Sequence, residues 1–330
     1  MNIRTFGWRD LTLLRSYRKQ GLFLDSARSL IQGTALVPLG SYLPFSGRTI
    51  RIFTYRGDNS LPSGKPIIGQ ATYANGSTYA RLAFLAPENG IEAADLAAMS
   101  DYMAFQLGEK GVFHILAEID ESSPVFSLIH NSGFAIYARQ RIWKLEGEAA
   151  GEADTVPWST GKSGDIIAAR SLYCNVVPGL VQQVEPLQKK KLNGFVYYLN
   201  GDLKAYVDVK FGRYGIWVQA FVHPDVEGFG RQLVHLLRTL PDRHERALYI
   251  CVRSYQSWLE AAVEEMGALP GPRQAVMVRH LTLAQRVKQT YALKAMNGSH
   301  AEPTAPVAQI GETRVLEISD TDHQPRIDSI

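Results

Sequence analysis

Apolar positions along the chain follow two rhythms. Runs such as "GFVYYL", "LKAYVDVKF", "YGIWVQAFV" and "ALYICV" read as strands, while "FGRQLVHLLRTL" repeats with the period of a helix. In that helix Phe229, Leu233, Leu236, Leu237 and Leu240 form one apolar stripe. Trp258, Leu259, Ala262, Val263 and Met266 form a second stripe. Both are expected to be core faces. In chain order, the second half predicts a short strand "DIIAAR", then helical segments broken near Pro178. Three strands follow, then a helix over Gly228–Leu240, a strand, a helix and a last strand "QAVMVRHLTL". The first half predicts the same succession. "NIRTF" is a strand, "DLTLLRSYRKQG" and "LDSARSLIQG" are helical, and "TIRIFTY", "KPIIGQATY" and "YARLAFL" are strands. A long helix, strand "VFHILAEI", helix "SPVFSLIHNSG" and strand "FAIYARQRIWKL" complete it. An element order shared this fully is a repeat on the scale of a domain.

Composition divides the chain without changing that picture. Residues 1–146 and 165–290 carry the two periodic halves. Residues 147–164 are small, polar and punctuated by Gly and Pro, which reads as a linker. Residues 291–330 hold little periodicity and are expected to be disordered. The 330 residues, 45% of them hydrophobic, suffice for about two cores of roughly 150 residues each. No run of about 18 apolar residues predicts a membrane span, and the charged N-terminus lacks a secretory apolar segment. Only Cys174 and Cys251 are present, which argues against a disulfide framework and fits a reducing cytoplasm. The scattered histidines show no metal-ligand spacing. Net charge is +3; the segment from Gly298 holds six acidic and two basic residues, a net −4, which leaves +7 on the remainder. That bias suits an anionic ligand. The run Lys189–Lys191 lacks the interleaved Arg and aromatics of a nucleic-acid face, so no nucleic-acid partner is expected. The oligomeric state is not legible.

The stretch "VHPDVEGFGRQLVHLL", Val222–Leu237, joins a strand to a helix through two glycines. Together with the order of elements it resembles the GNAT superfamily of N-acetyltransferases, in which a V-x-P turn leads into an Arg/Gln-x-x-Gly-x-Gly/Ala loop and a helix. Val222, Pro224, Gly228 and Gly230 match; Asp225 stands where the family has Arg or Gln. The first half resembles the family in its element order and in "HNSGFAIY". The resemblance spans about Asn2–Arg286 and implies an α/β (α+β) chain of two GNAT-like domains. Each would be a mixed, mostly antiparallel twisted sheet flanked by helices. It also implies acetyl-CoA as co-substrate, held in the second half by Val222, Gly228, Phe229, Gly230 and Arg231, with no metal. The physical basis is general. A helix start offers free amides and a partial positive charge to an anion, and glycine lets the anion approach. The pantetheine arm would pair along the strand edge Tyr214–Val222 as an added strand does. Asp225 and Glu227 oppose a phosphate there unless they point away, and an Asp225 that caps the helix would compete with the phosphate for the same amides. The first-half counterpart "LAPENGIEAADLAAM" keeps only Gly90 and is ringed by carboxylates, so it is expected to have lost or reshaped its pocket.

Acyl transfer to an amine needs a base for the ammonium proton and an acid for the leaving thiolate. The family's usual Tyr falls at Val263 and Ile129 here, and the fourth strand of the second half carries Gln219 instead of Glu. Tyr255, just past "ALYICV", is the candidate acid, with packing over the helix as its plain alternative. His223 is the candidate base, histidine being the residue type most used for that role. Asp208 faces either the cleft or solvent, and Cys251 reads as a buried core thiol. The activity implied is an acyl-CoA-dependent N-acyltransferase acting on a small amine or peptide amine. The alternative is a catalytically silent tandem GNAT-like module that binds acyl-CoA or a protein.

Overall fold

The repeat is built into a single sheet. The computed structural model describes residues 2–5, 11–17, 20–33, 48–56, 66–187, 192–241 and 243–280, all within one compact unit, Met1–Thr282. The expected tail 291–330 and the run Lys189–Lys191 lie outside the described residues. The first half contains β1 (Asn2–Thr5), α1 (Leu11–Tyr17), β2 (Leu22–Phe23), α2 (Ser26–Gln32), β3 (Arg48–Arg56), β4 (Ile67–Ala74) and β5 (Tyr79–Ala86). It continues with α3 (Ala93–Gly108), β6 (His114–Asp120), α4 (Val125–Asn131) and β7 (Ala135–Leu145). The second half contains β8 (Ser159–Thr160), α5 (Ile166–Val176), α6 (Gly179–Val184), β9 (Gly194–Leu199), β10 (Asp202–Phe211) and β11 (Gly215–Val222). It ends with α7 (Phe229–Thr239), β12 (Ala247–Arg253), α8 (Leu259–Glu265) and β13 (Leu269–His280).

Two expectations are corrected. The segment Asp165–Arg170 is the start of α5 and not a strand. Its burial shows why: Ala169, Leu172 and Tyr173 turn inward at helical spacing, and the Asp165 carboxylate accepts from the Lys162 amide at 2.7 Å just ahead of the helix. The opening strand of the second half is β8, inside the stretch that reads as a linker. That stretch is packed: Ala149 is buried, and Val156 and Trp158 lie against the second-half core.

The strands run in the order β1-β3-β4-β5-β6-β13-β7-β12-β11-β10-β9-β8, with β2 attached to β5. Read from either end the order is equivalent, because each first-half strand mirrors its second-half counterpart. At the centre the last strands are exchanged. β13 pairs antiparallel with β6 through Met277↔Ala117 and with β7 through Met277↔Ile136. β7 in turn pairs with β12 through Ile250↔Trp143. The exchange reaches the cores. Ala275 and Met277 of β13 are buried in the cluster under α3 and α4, whereas Trp143 and Leu145 of β7 are buried in the cluster under α7 and α8. On the opposite face Val276, Val278, Tyr137 and Ala138 join residues of α5 and α6. Strands covered on both faces show the near-continuous apolar runs seen here. Among the described residues no helix is long and apolar enough to cross a membrane, and no group of His, Cys, Asp or Glu is arranged for a metal.

The exchange predicts shared stability. Met277 is fully buried in the core beneath the first-half helices although it belongs to the last strand. Met277→Ala is expected to cost about 2–5 kcal/mol. Urea unfolding followed by circular dichroism and by tryptophan fluorescence should show that loss in one common transition.

Candidate functional site

Each half contains one parallel strand pair that diverges. β5 and β6 pair from Tyr79↔His114 to Arg81↔Leu116 and then separate. β11 and β12 pair from Gly215↔Ala247 to Gln219↔Cys251 and then separate. Divergence exposes backbone donors and acceptors that must find partners, and the halves differ in how they do so. In the first half the chain fills its own wedge. β2 pairs with β5 through Leu22↔Leu85 and Phe23↔Phe84. The Leu24 amide donates to the Ala83 carbonyl at 3.1 Å, and the Glu118 amide donates to the Leu24 carbonyl at 2.9 Å. Leu24 thereby bridges both strands. In the second half no described strand enters the wedge. A single side chain, Gln256, crosses to donate from Nε2 to the Val222 carbonyl at 3.3 Å.

At the end of β11 the chain turns into α7. Gly228 is the N-terminal cap residue with φ +65°, a conformation that favours glycine, and no side chain caps the helix. Asp225 does not compete for the helix amides; its carboxylate and its own amide both face Nδ1 of His223, at 3.2 and 3.3 Å. Phe229 is buried among Trp158 and Trp258, so only its backbone is available at the loop. Val222 is likewise buried. Gly230 has a packing reason: a Cβ there would stand 2.9 Å from Cβ of Ala262, so its bareness lets α7 and α8 meet. Arg231 is engaged by the segment that joins the halves, pairing with Asp154 at 3.1 Å and Glu152 at 3.4 Å.

The face of the sheet below α2 and α6 is polar at its centre. Cross-strand partners place the side chains together: Thr72↔Arg81, Asp208↔Gln219, Arg253↔Gln140 and Gln274↔Gln140. Two adjoining cavities, of about 340 and 250 Å³, share Tyr79, Arg81, Lys210, Gln219 and Arg253 in their walls. The first adds Asp25, Glu118 and Trp217; the second adds Tyr173, Glu185, Asp208 and Tyr255. Glu185, following α6, ties the halves together. It accepts from Arg81 Nη2 at 3.0 Å, from Arg253 Nη2 at 3.1 Å and from the Tyr137 hydroxyl. Arg81 also holds Glu118 at 2.5 Å. Burial alone would raise the Glu185 pKa, but Arg253, Arg81 and the Tyr137 hydrogen bond outweigh it and bring it down to about 2. Burial raises the hydroxyls of Tyr137, Tyr173 and Tyr255, which therefore stay protonated.

The structure brings Tyr255 to this cleft, where it lines the second cavity. His223 lies at the turn beyond β11, facing Asp225, and lines neither cavity. Asp208 faces the cleft, with Lys210 at 3.3 Å and the Tyr206 hydroxyl donating at 2.9 Å. Cys251 is a buried core thiol whose pKa burial pushes up to about 12. The residues that sequence reasoning missed are Arg81, Glu118, Tyr137, Glu185 and Arg253. For three of them the signal was charge inside apolar strands: Arg81 in "YARLAFL", Glu118 in "VFHILAEI" and Arg253 ending "ALYICVR".

Two outcomes follow from these contacts. Gly230→Ala should destabilise the chain by about 1–3 kcal/mol through overpacking, and adding Ala262→Gly should restore part of that in urea unfolding. Glu185→Gln leaves the buried Arg253 guanidinium without its carboxylate and the half-buried Arg81 with Glu118 alone, and should cost about 3 kcal/mol at neutral pH. In the wild type this carboxylate contributes in full above its unfolded value of about 4.5, and the contribution is lost as pH falls toward 2. Stability measured against pH should therefore fall less steeply across that window in the Gln variant.

No protein-family model and no curated protein matches the sequence. Solved structures do. A tandem GNAT protein from the clavulanic acid biosynthesis pathway is 14% identical, over 85% of this chain and 98% of its own, with a TM-score of 0.49. A GNAT-family acetyltransferase from Colwellia psychrerythraea is 14% identical, over 85% and 100%, with a TM-score of 0.43. A GCN5-related N-acetyltransferase from Sphaerobacter thermophilus is 12% identical, over 70% and 80%, with a TM-score of 0.45. The chain is similar to these GNAT-family structures, a tandem one among them; its own order of strands and helices recurs in two halves joined in one mixed sheet.

Proposed function

We propose that the chain is an acyl-CoA-dependent N-acyltransferase whose coenzyme site lies in the second half. The observation that carries this reading is the contrast between the wedges: the first is filled by Leu22–Leu24, and the second is crossed, among the described residues, only by Gln256. An extended pantetheine arm needs a strand edge to pair with, and β11 beyond Gln219 supplies one. The uncapped start of α7, with Gly228 in the left-handed region, supplies amides for the diphosphate. Acetyl-CoA brings an acyl group activated on sulfur. In the transfer the acceptor amine gives up a proton to solvent water and its nitrogen bonds to the acyl carbon. The carbon–sulfur bond breaks, its electron pair leaves on sulfur, and the thiolate takes a proton. Tyr255, neutral and on the cleft wall beside Arg253, is the residue we assign to deliver that proton. His223, turned to Asp225 outside the cavities, is not assigned a step.

The charge at the loop is the demanding part of the reading. Arg231 is held by Asp154 and Glu152, so a diphosphate must displace those carboxylates. Thermal unfolding with acetyl-CoA tests the site. Ligand at about 100 times its dissociation constant should add roughly 2.7 kcal/mol. Gly228→Asn, which tolerates the left-handed backbone but adds a side chain over the amides, should weaken that gain. Asp154→Asn should strengthen it. Absence of any shift at millimolar acetyl-CoA sinks the coenzyme reading. A shift indifferent to both substitutions moves the site elsewhere.

A further inference from the structure

The hydrogen-bonding demand of the cleft is one-sided. Arg253 is 5% exposed and forms part of both cavity walls. Its Nη2 is taken by Glu185, while its Nε and Nη1 have no acceptor among the described residues. Trp217, 3% exposed and in the wall of the first cavity, has an indole N–H in the same condition. Both residues with unmet groups in these walls are donors. A buried donor without an acceptor costs free energy, more so when it belongs to a charged group. The protein itself offers little to relieve it. Glu185 is already shared among Arg81, Arg253 and Tyr137, Glu118 is held by Arg81, and Asp208 by Lys210.

From this we infer that the acceptor is a small molecule carrying a carboxylate as well as its amine, an amino acid in the broad sense, and that Arg253 is the residue that receives the carboxylate. The inference rests on the acyltransferase reading for the amine and on the cleft for the carboxylate. The charge balance of the walls agrees with it. Across the two cavities four basic side chains face four acidic ones. A zwitterion enters such a space without leaving net charge behind, whereas a simple cationic amine adds one unpaired charge. The volumes, about 340 and 250 Å³, suit a compact ligand. A peptide N-terminus presents an amide where this site asks for an anion. Arg253 lies at the end of β12 two residues before Tyr255. A carboxylate on Arg253 therefore places the attached amine at the same end of the cleft as the proposed proton donor.

The test is thermal unfolding of the full chain without any acyl-CoA. The ligands are the common amino acids, β-alanine and 4-aminobutyrate, each beside its carboxamide and its decarboxylated amine. We expect at least one amino acid to raise Tm in a saturable way while its carboxamide and amine do not. In Arg253→Lys, which keeps the charge and moves the donors, affinity for that amino acid should fall roughly ten- to a hundredfold. The amino acid against amide comparison on the wild type needs no variant, so the inference stays testable if that variant does not fold. Equal stabilisation by amino acids and their amides or amines overturns it, as does no stabilisation by any amino acid. Acetyl-CoA binding is measured separately. A shift with acetyl-CoA and none with amino acids removes this inference and leaves the proposed function standing; no shift with either removes both.

Discussion

Neither half of this chain can complete its own sheet, because β13 occupies the slot between β6 and β7. Every other feature depends on that exchange. It forces the halves into one continuous sheet, and it puts Met277 of the last strand in the core under α3 and α4. It also puts Trp143 of the first half in the core under α7 and α8. The central strands then carry apolar side chains on both faces, so a slip of one residue would exchange two buried sets rather than expose one. Alternation along β13 shows this directly: Ala275 and Met277 enter one core, Val276 and Val278 the other.

A sheet built across the junction places the polar centre of the molecule where both halves contribute. Arg81 comes from β5, Tyr137 from β7, Arg253 from β12 and Glu185 from the segment after α6. Such a buried cluster is weak evidence for stability in itself, since desolvation opposes the Coulomb gain. Glu185 shows the balance. Its ionised form survives burial only because two guanidinium groups and a hydroxyl converge on it. The cluster also fixes geometry. The carboxylate draws both arginines toward one point on the cleft wall, which leaves the remaining donors of Arg253 pointing away from it and unmatched.

Much of the architecture was legible in the sequence, because the strands and long helices carry strong periodicity and the order of elements recurs. The misread segment, Asp165–Arg170, is short and apolar, a case in which periodicity alone does not separate strand from helix. Residues 147–164 read as a linker because their composition is polar and small; that Trp158 and Ala149 pack on the core depends on tertiary contacts no local pattern carries. The strand exchange was invisible for the same reason, since β7 and β13 look alike on either side of it. At the site the loop was legible and its meaning was not. Gly228 has the backbone that the pattern implies, but Gly230 is bare because Ala262 lies against it. Tyr255 could be placed by its neighbours in sequence, whereas Glu185 acts on residues about 50 to 100 positions away.

The two wedges finally show one constraint met in two ways. Diverging parallel strands leave amides and carbonyls that the fold must satisfy. In the first half, Leu24 does so with its own backbone, accepting from Glu118 and donating to Ala83, and the wedge becomes part of the core. In the second, a side-chain amide reaches one carbonyl. A side chain can rotate away where a strand cannot, and it is on this difference that the proposed coenzyme site rests. The difference does not arise from the glycine loop, which follows β11 and has no part in either wedge. It arises from what precedes the second helix of each half: the short strand β2 lies between α1 and α2, whereas α5 runs almost directly into α6 with no strand between them. The asymmetry between the copies is therefore set by the segment that each half places over its diverging strands, and the loop at Gly228 matters only where that segment has left the edge free.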